Sequence, residues 1–423
     1  MLLEPKKANL QAFLIAGWLV LLMSAMPLHA AVSAPDDEPP VFAPTLLYDG
    51  TFATLLAGGA GTGSVYMGNA HFRLSARGDR IGFAGWSGYV DLMNIHGSRP
   101  SVLVGDAQGV SNIDGPTGTQ VEEFWVQYNT LDRRLSTLLG IYDLNSEFYR
   151  TIAGGLFQNS AFGIGPEFGQ SGIEGPSIFP RTSAGLRLAI KPTDNMVLRA
   201  AVLDGVPVAR PDGSRGLFHS GDGLLIVAEA AWLSRASVER ELKSRRDLIG
   251  RQSSLAPYES KIAIGTWRYT SRFDDLSAST STGEPIRRRG SAGVYAVGEM
   301  PLFEDRDSIR KLAAFGHLGF ADPRTNRFSS YVGAGLVGSG WVPQRAADEF
   351  GLSFARSNNG SHYLKSMNGA VARNAETTFE ATYLVKVSDH LTVQPDLQYV
   401  VHPNTAPALR NAWVFQLRFE MAY

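Results

Sequence analysis

The sequence predicts an all-β fold, a transmembrane antiparallel β-barrel of about sixteen strands with short periplasmic turns, long outer loops and one loop folded into the lumen. Three observations carry this. The C-terminal third alternates strictly between apolar and polar residues. The connections between such segments alternate between short and long. The mean hydropathy of the 423 residues is −0.07, too low for a bundle of membrane helices but suited to strands that show lipid only every second residue.

The alternation is clearest at the C-terminus. In WVFQLRFEMAY, Trp413, Phe415, Leu417, Phe419, Met421 and Tyr423 share one face, and Val414, Gln416, Arg418, Glu420 and Ala422 share the other. Hydrocarbon demands the apolar face, and it also demands closure, because an unpaired sheet edge cannot sit in lipid. A terminal aromatic residue also suits recognition by the barrel assembly machinery. Phe379–Val387 and Leu391–Val401 follow the same grammar around a tight turn at Ser388–His390. Pro395 lacks an N–H, so a bulge or a gap in pairing is expected there. Weaker strands of the same kind run through His71–Ser75, Glu123–Asn129, Ala184–Ile190 and Leu198–Val202.

Short connections fall at 77–80, 131–134, 191–195 and 388–390. Longer ones, rich in Gly, Pro, Asn or Asp, fall at 94–119, 143–182, 205–222, 271–288 and 402–411. With the last strand ending in the periplasm, parity puts 388–390 on the short side. Walking back gives about sixteen strands from near residue 45, with about fourteen or about eighteen also compatible. The charged stretch 235–251 sits where a short turn is expected and fits no part of this pattern.

The N-terminus reads as a secretory signal over residues 1–30: Lys6 and Lys7, an apolar run from Ala12 to Met23, and a small residue at Ala30. Its removal, with Glu4, Lys6 and Lys7, takes the formal net charge from −1 to −2. A Pro- and acid-rich linker at 31–44 (APDDEPP within it) leads to a barrel over 45–423. No later run of ~18 apolar residues suggests a membrane helix. The near-neutral charge gives no field for nucleic acid. With no cysteine, backbone pairing and burial must hold the fold.

Several segments carry a resemblance. Glu376–Asn404 contains VQPDLQY (Val393–Tyr399), and GDAQGVSN (Gly105–Asn112), GIYDLNSEF (Gly140–Phe148), GLFQNSAF (Gly155–Phe162) and the GLVGSGWVPQRAADEF run within Gly333–Phe350 accompany it in order. Together they resemble the carbohydrate-selective porin family (OprB type) over roughly residues 45–423. The resemblance implies a sixteen-stranded barrel in the bacterial outer membrane with a narrow, sugar-passing eyelet. The stretch 235–251 departs from it.

A channel for sugars needs a polar lumen, a narrowing, and weak repeated contacts. The alternation turns Arg73, Glu123, Trp125, Gln127, Arg187, Arg199, Glu380, Asp396, Gln398 and Arg418 inward. An intraluminal ion-pair lattice would use the same residues. Glu123, Trp125 and Gln127 put a carboxylate, an indole and an amide on one face, a set that suits a sugar. The loop 143–182 is the candidate constriction. It holds Phe157, Phe162, Phe168 and Phe179, too apolar to stand in water, with Glu147, Arg150, Glu167, Glu174 and Arg181. Packing outward on neighbouring loops, or on another subunit of a trimer, is the alternative.

Other features are weaker. Gly58–Gly63 (GGAGTG) has no Lys-Ser/Thr end and reads as a turn rather than a nucleotide loop. Arg287–Arg289 would lie at the outer rim, near lipopolysaccharide phosphates or water. Trp341 and Trp413 suit interfacial girdles. The histidines show no metal spacing, and no cofactor is expected. The rivals to sugar diffusion are a general porin, a barrel enzyme with a Ser/His or Asp/His set at one rim, and a plugged structural barrel. Monomer and homotrimer both fit.

Overall fold

The computed structural model describes residues 40–207, 218–219, 221–234, 258–307, 309–367 and 372–423. The leader 1–30, most of the linker and the charged stretch 235–251 lie outside the described residues. Among the described residues, sixteen antiparallel strands close into one barrel. They are β1 (Phe42–Gly59), β2 (Gly63–Arg77), β3 (Trp86–Gly97), β4 (Gly118–Asn129), β5 (Leu135–Tyr142), β6 (Ser183–Thr193), β7 (Met196–Asp204) and β8 (Leu224–Leu233). The second half comprises β9 (Lys261–Ser279), β10 (Pro285–Glu304), β11 (Lys311–Ala321), β12 (Phe328–Ser339), β13 (Glu349–Asn359), β14 (Ala375–Lys386), β15 (Leu391–Val401) and β16 (Arg410–Ala422).

Each strand pairs with its neighbours in sequence, and β16 closes on β1 with Ala422 opposite Leu47 and Arg418 opposite Thr51. Closure leaves no backbone edge unpaired, which is the condition for spanning hydrocarbon. The faces follow the predicted alternation. On β16, Trp413, Phe415 and Leu417 are exposed on the outer surface, while Val414, Gln416 and Arg418 are buried toward the lumen. Trp413 stacks on Tyr399 near one end of the barrel. Trp341 stands near the other end, its indole N–H donating to Lys311 O at 2.9 Å.

Local details follow from single residues. The β14–β15 ladder runs down to Thr382 opposite Asp396 and resumes at Val385 opposite Val393, so the pairing skips the step at Pro395 without losing register. Gly58, Gly59 and Gly63 have positive φ and build the tight β1–β2 turn. β1 begins at Phe42, inside the expected linker, where Phe42 pairs with Ala76. The expected long connection at 271–288 is instead mostly strand. β9 and β10 span 19 and 20 residues and leave only 280–284 as a turn. The extension is held by cross-strand ion pairs, Arg287 with Asp274 at 3.1 Å and Arg288 with Asp275 at 2.8 Å. These strands exceed the ~10 residues a bilayer requires, so the tip of the hairpin extends beyond the hydrocarbon core.

Candidate functional site: a lumen narrowed by two loops

The β5–β6 connection, 143–182, folds into the lumen. It is built from short turns: 3-10 turns at Leu144–Ser146, Ala153–Leu156 and Ser160–Phe162, and α2 (Pro166–Gly169), numbered after α1 (Pro100–Val104) of the β3–β4 loop. Asp143 starts the descent by accepting the Asn145 N–H at 2.8 Å, and a proline opens α2. The aromatic residues drive the insertion. Phe157, Phe162 and Phe315 of the wall pack together, with Phe157–Phe162 centroids 5.0 Å apart. Phe168 stacks on Trp267 of β9 at 4.7 Å and 4°. Phe157, Phe162 and Phe168 are buried, and Phe179 is partly buried.

Burying loop backbone in the lumen leaves its N–H groups in need of acceptors. Wall carboxylates supply them. Glu123 takes Asp143 N at 2.8 Å, Glu229 takes Tyr149 N at 2.9 Å, and Glu299 takes Ala153 N at 2.8 Å. Glu380 takes Gln158 N at 2.5 Å and Asn159 N at 3.2 Å. The β3–β4 loop is held the same way, with Glu376 accepting Ala107 N and Gln108 N at 2.9 and 2.8 Å. The two loops also bond to each other, Asn112 N to Gln158 O and Ser160 N to Gly109 O, both at 2.7 Å.

The loops bond to the wall on several sides and leave a cavity beside β1–β4. This cavity encloses about 820 Å³ open to solvent. Asp49, Asn69, His71, Arg73, Asp91 and Glu123 line its wall, and Asn112, Asp143, Arg150 and Phe179 line its loop side. Asp91 is the hub: its carboxylate meets His71 Nδ1 and the Arg73 Nε–H, both at 2.9 Å. Five carboxyl side chains (Asp49, Asp91, Glu122, Glu123 and Asp143) face two guanidiniums (Arg73 and Arg150) and one imidazole.

Of the residues singled out from sequence, the structure brings Arg73, Glu123 and Arg150 to this cavity. Trp125 lies buried against Tyr89, centroids 5.3 Å apart. Gln127 donates to Ser136 Oγ at 3.0 Å, away from the opening. The others tie loops or wall together. Arg187 grips Glu147 with two bonds, 2.8 and 3.0 Å, and Arg181 pairs with Glu174 at 2.6 Å. Arg199 pairs with Glu229 at 3.1 Å. Gln398 donates to Val110 O at 2.8 Å and to Asp396 at 2.9 Å. Arg418 reaches Asn112 and Ser111 at 2.7 and 3.0 Å. Glu167 lies on α2, fully buried, and accepts the Tyr149 hydroxyl at 2.8 Å. Burial pushes its carboxyl up to about 7, against the downward pull of that hydrogen bond.

Sequence reasoning missed Asp49, Asn69, His71, Asp91, Glu122 and Asp143. Glu122 has a specific cause. The β3–β4 ladder shifts register between Asp91–Glu123 and Leu92–Val121, a bulge that buries Glu122 beside Glu123. Two successive carboxylates on one face break the period of two. Asn69 and His71 stand at alternate positions before Arg73, so extending that strand backwards was the available signal.

A closed barrel, apolar outside and polar within, narrowed by its own loops, is the architecture of outer-membrane barrels. The chain belongs to the carbohydrate-selective porin, OprB family, whose model matches residues 66–423. Porin B of Pseudomonas aeruginosa is 28% identical over 170 residues, which is 36% of this chain and 37% of that protein, so the match spans little over a third of the relative's length. In fold, the chain is similar to the high-pH structure of Pseudomonas putida OprB, with a TM-score of 0.76 at 19% identity, covering 90% of this chain and 94% of that one. It is also similar to the outer membrane channel DcaP of Acinetobacter baumannii, with a TM-score of 0.52 at 9% identity over 90% and 97%. Fold and family are those of channels rather than enzymes.

Proposed function

We propose that this chain passes carbohydrates by passive diffusion into the periplasm, through the opening between the two inward loops and β1–β4. The carrying observation is the lining of that opening. Carboxyl groups, two guanidiniums, an imidazole and amides line it, and Tyr89, Ile113 and Phe179 add apolar surface. A sugar presents hydroxyls at its rim and C–H groups on its faces, so such a lining exchanges its hydration shell for many weak contacts without a deep trap. In this reading Arg73, Glu123 and Arg150 touch solute. Trp125, Gln127, Glu147, Glu167, Arg181, Arg187, Arg199, Glu380, Asp396, Gln398 and Arg418 set the shape of the opening. The signal 1–30 is removed on export, and the terminal Tyr423 is read by the assembly machinery.

The test is swelling of liposomes carrying the refolded protein. Fast entry of glucose, with slower entry of size-matched amino acids or ions and of larger oligosaccharides, supports the reading. Entry ranked by size alone makes it a general diffusion channel, and no swelling refutes diffusion. One feature addresses the enzyme alternative. Ser277, His362 and Asp275 cluster at the outer end of β9, but Ser277 Oγ and Asp275 Oδ1 both approach His362 Nδ1, at 2.9 Å each. A relay needs the two ring nitrogens to serve different partners.

A further inference from the structure

The outer wall of the β9–β10 hairpin carries arginines that the channel does not use. Arg268 and Arg272 on β9 and Arg289 on β10 all have their side chains on the exposed, outward face. Arg289 stands directly opposite Arg272 across the ladder. Like charges in that register repel each other. Arg287, one step further out, is neutralised by Asp274 at 3.1 Å. Among the described residues, no carboxylate pairs with Arg268, Arg272 or Arg289.

Their height on the barrel is informative. Ile226 lies directly opposite Arg268, Val294 opposite Thr266, and Phe320 opposite Val294. Ile226, Val294 and Phe320 are all exposed on the outer surface and mark the upper edge of the apolar band. The three guanidiniums thus begin where the band ends, and Arg272, with Arg289 opposite it, stands four residues further along β9. Water alone would leave an opposed guanidinium pair repelling. An anionic headgroup between them removes the repulsion and gains bidentate bonds, since the guanidinium fork matches phosphate geometry.

We propose that Arg268, Arg272 and Arg289 form a docking surface for the phosphorylated glycolipid of the outer leaflet, its phosphates between the guanidiniums and its acyl chains on Ile226, Val294 and Phe320. This rests on the outer-membrane location and not on the sugar reading. The test captures tagged, detergent-solubilised full-length protein from mixed micelles with bis-phosphorylated lipid A or the same lipid with its phosphates removed, and counts bound lipid per barrel. The wild type is expected to retain the phosphorylated form over the stripped form. The Arg272→Gln/Arg289→Gln variant is expected to retain at least about tenfold less, since a cation near an anionic surface counts for roughly fivefold. Sugar entry into liposomes should stay unchanged, which shows that the variant is folded and keeps this result separate from the channel reading. The Arg272→Lys/Arg289→Lys variant keeps the charge and should fall between the two. Equal retention of both lipids by the wild type, or equal retention by the wild type and the Gln variant, overturns the proposal.

Discussion

Glu167 offers a way to loosen the constriction without touching the barrel. Its carboxyl is buried on α2, opposite Gly319 of β11, where a Cβ would overlap it. The Tyr149 hydroxyl bonds one oxygen, and the Tyr331 ring stands beside α2. Burial raises the carboxyl from its ordinary 4.5 to about 7. At about 1.4 kcal/mol per tenfold change in proton affinity, that is on the order of 3 kcal/mol between the two protonation states. The sign follows from linkage. A carboxyl raised on docking favours the docked loop fully below pH 4.5, and that advantage drains away as pH rises to about 7, then stays constant. The assay is hydrogen exchange of the loop segment 153–169 in micelles, corrected for the intrinsic pH dependence of exchange. Protection should fall by about two decades between pH 4.5 and 7.5. Glu167→Gln keeps an oxygen for Tyr149 and cannot ionise, so its protection should be flat over the same window. If the variant shows the wild-type slope, or if wild-type protection rises with pH, the reasoning fails.

Four further outcomes are expected. Glu147→Ala removes one partner of the buried Arg187 grip and should weaken docking of the loop by about 3 kcal/mol, seen as a lower unfolding midpoint and noisier single-channel current. Gly265→Ala places a methyl in the Tyr295 ring that covers this position, and should destabilise the barrel by about 1–3 kcal/mol in denaturant titrations. Arg73→Gln subtracts one of the two guanidiniums of the opening, so reversal potentials across a salt gradient should move toward cation preference. Deleting residues 150–178 should raise conductance and blur discrimination between solutes; an unchanged conductance would sink the role of this loop.

The barrel was legible because lipid imposes a hard rule on alternate residues, and β16, β15 and β14 obey it almost without exception. The inward fold of 143–182 was legible from its phenylalanines, too apolar to stand in water, although outward packing on neighbouring loops or another subunit fitted them as well. The composition of the opening was less so. Inward-facing residues look alike in sequence whether a loop covers them or leaves them bare, so Arg187, Arg199 and Glu380 could not be told from Arg73. The bulge at Glu122 hid one carboxylate, and the pairing of β9 with β10 out to Pro285 opposite Ser279 turned an expected loop into strand. The cross-strand pairs Arg287–Asp274 and Arg288–Asp275 that stabilise it join residues on opposite sides of a turn.

The carboxylate clamps bear on the order of assembly. Gln158 is 222 residues from the Glu380 that holds it, and Ser111 is 307 residues from Arg418. Contacts between such distant parts of the chain form late, because ordering the intervening chain must come first. The clamps sit on β4, β8, β10 and β14, so the two loops reach their final positions only after the ring of strands is nearly complete. A barrel with its last strands unpaired would therefore be a wide hole, and sealing β16 against β1 is also the event that sets the calibre of the channel.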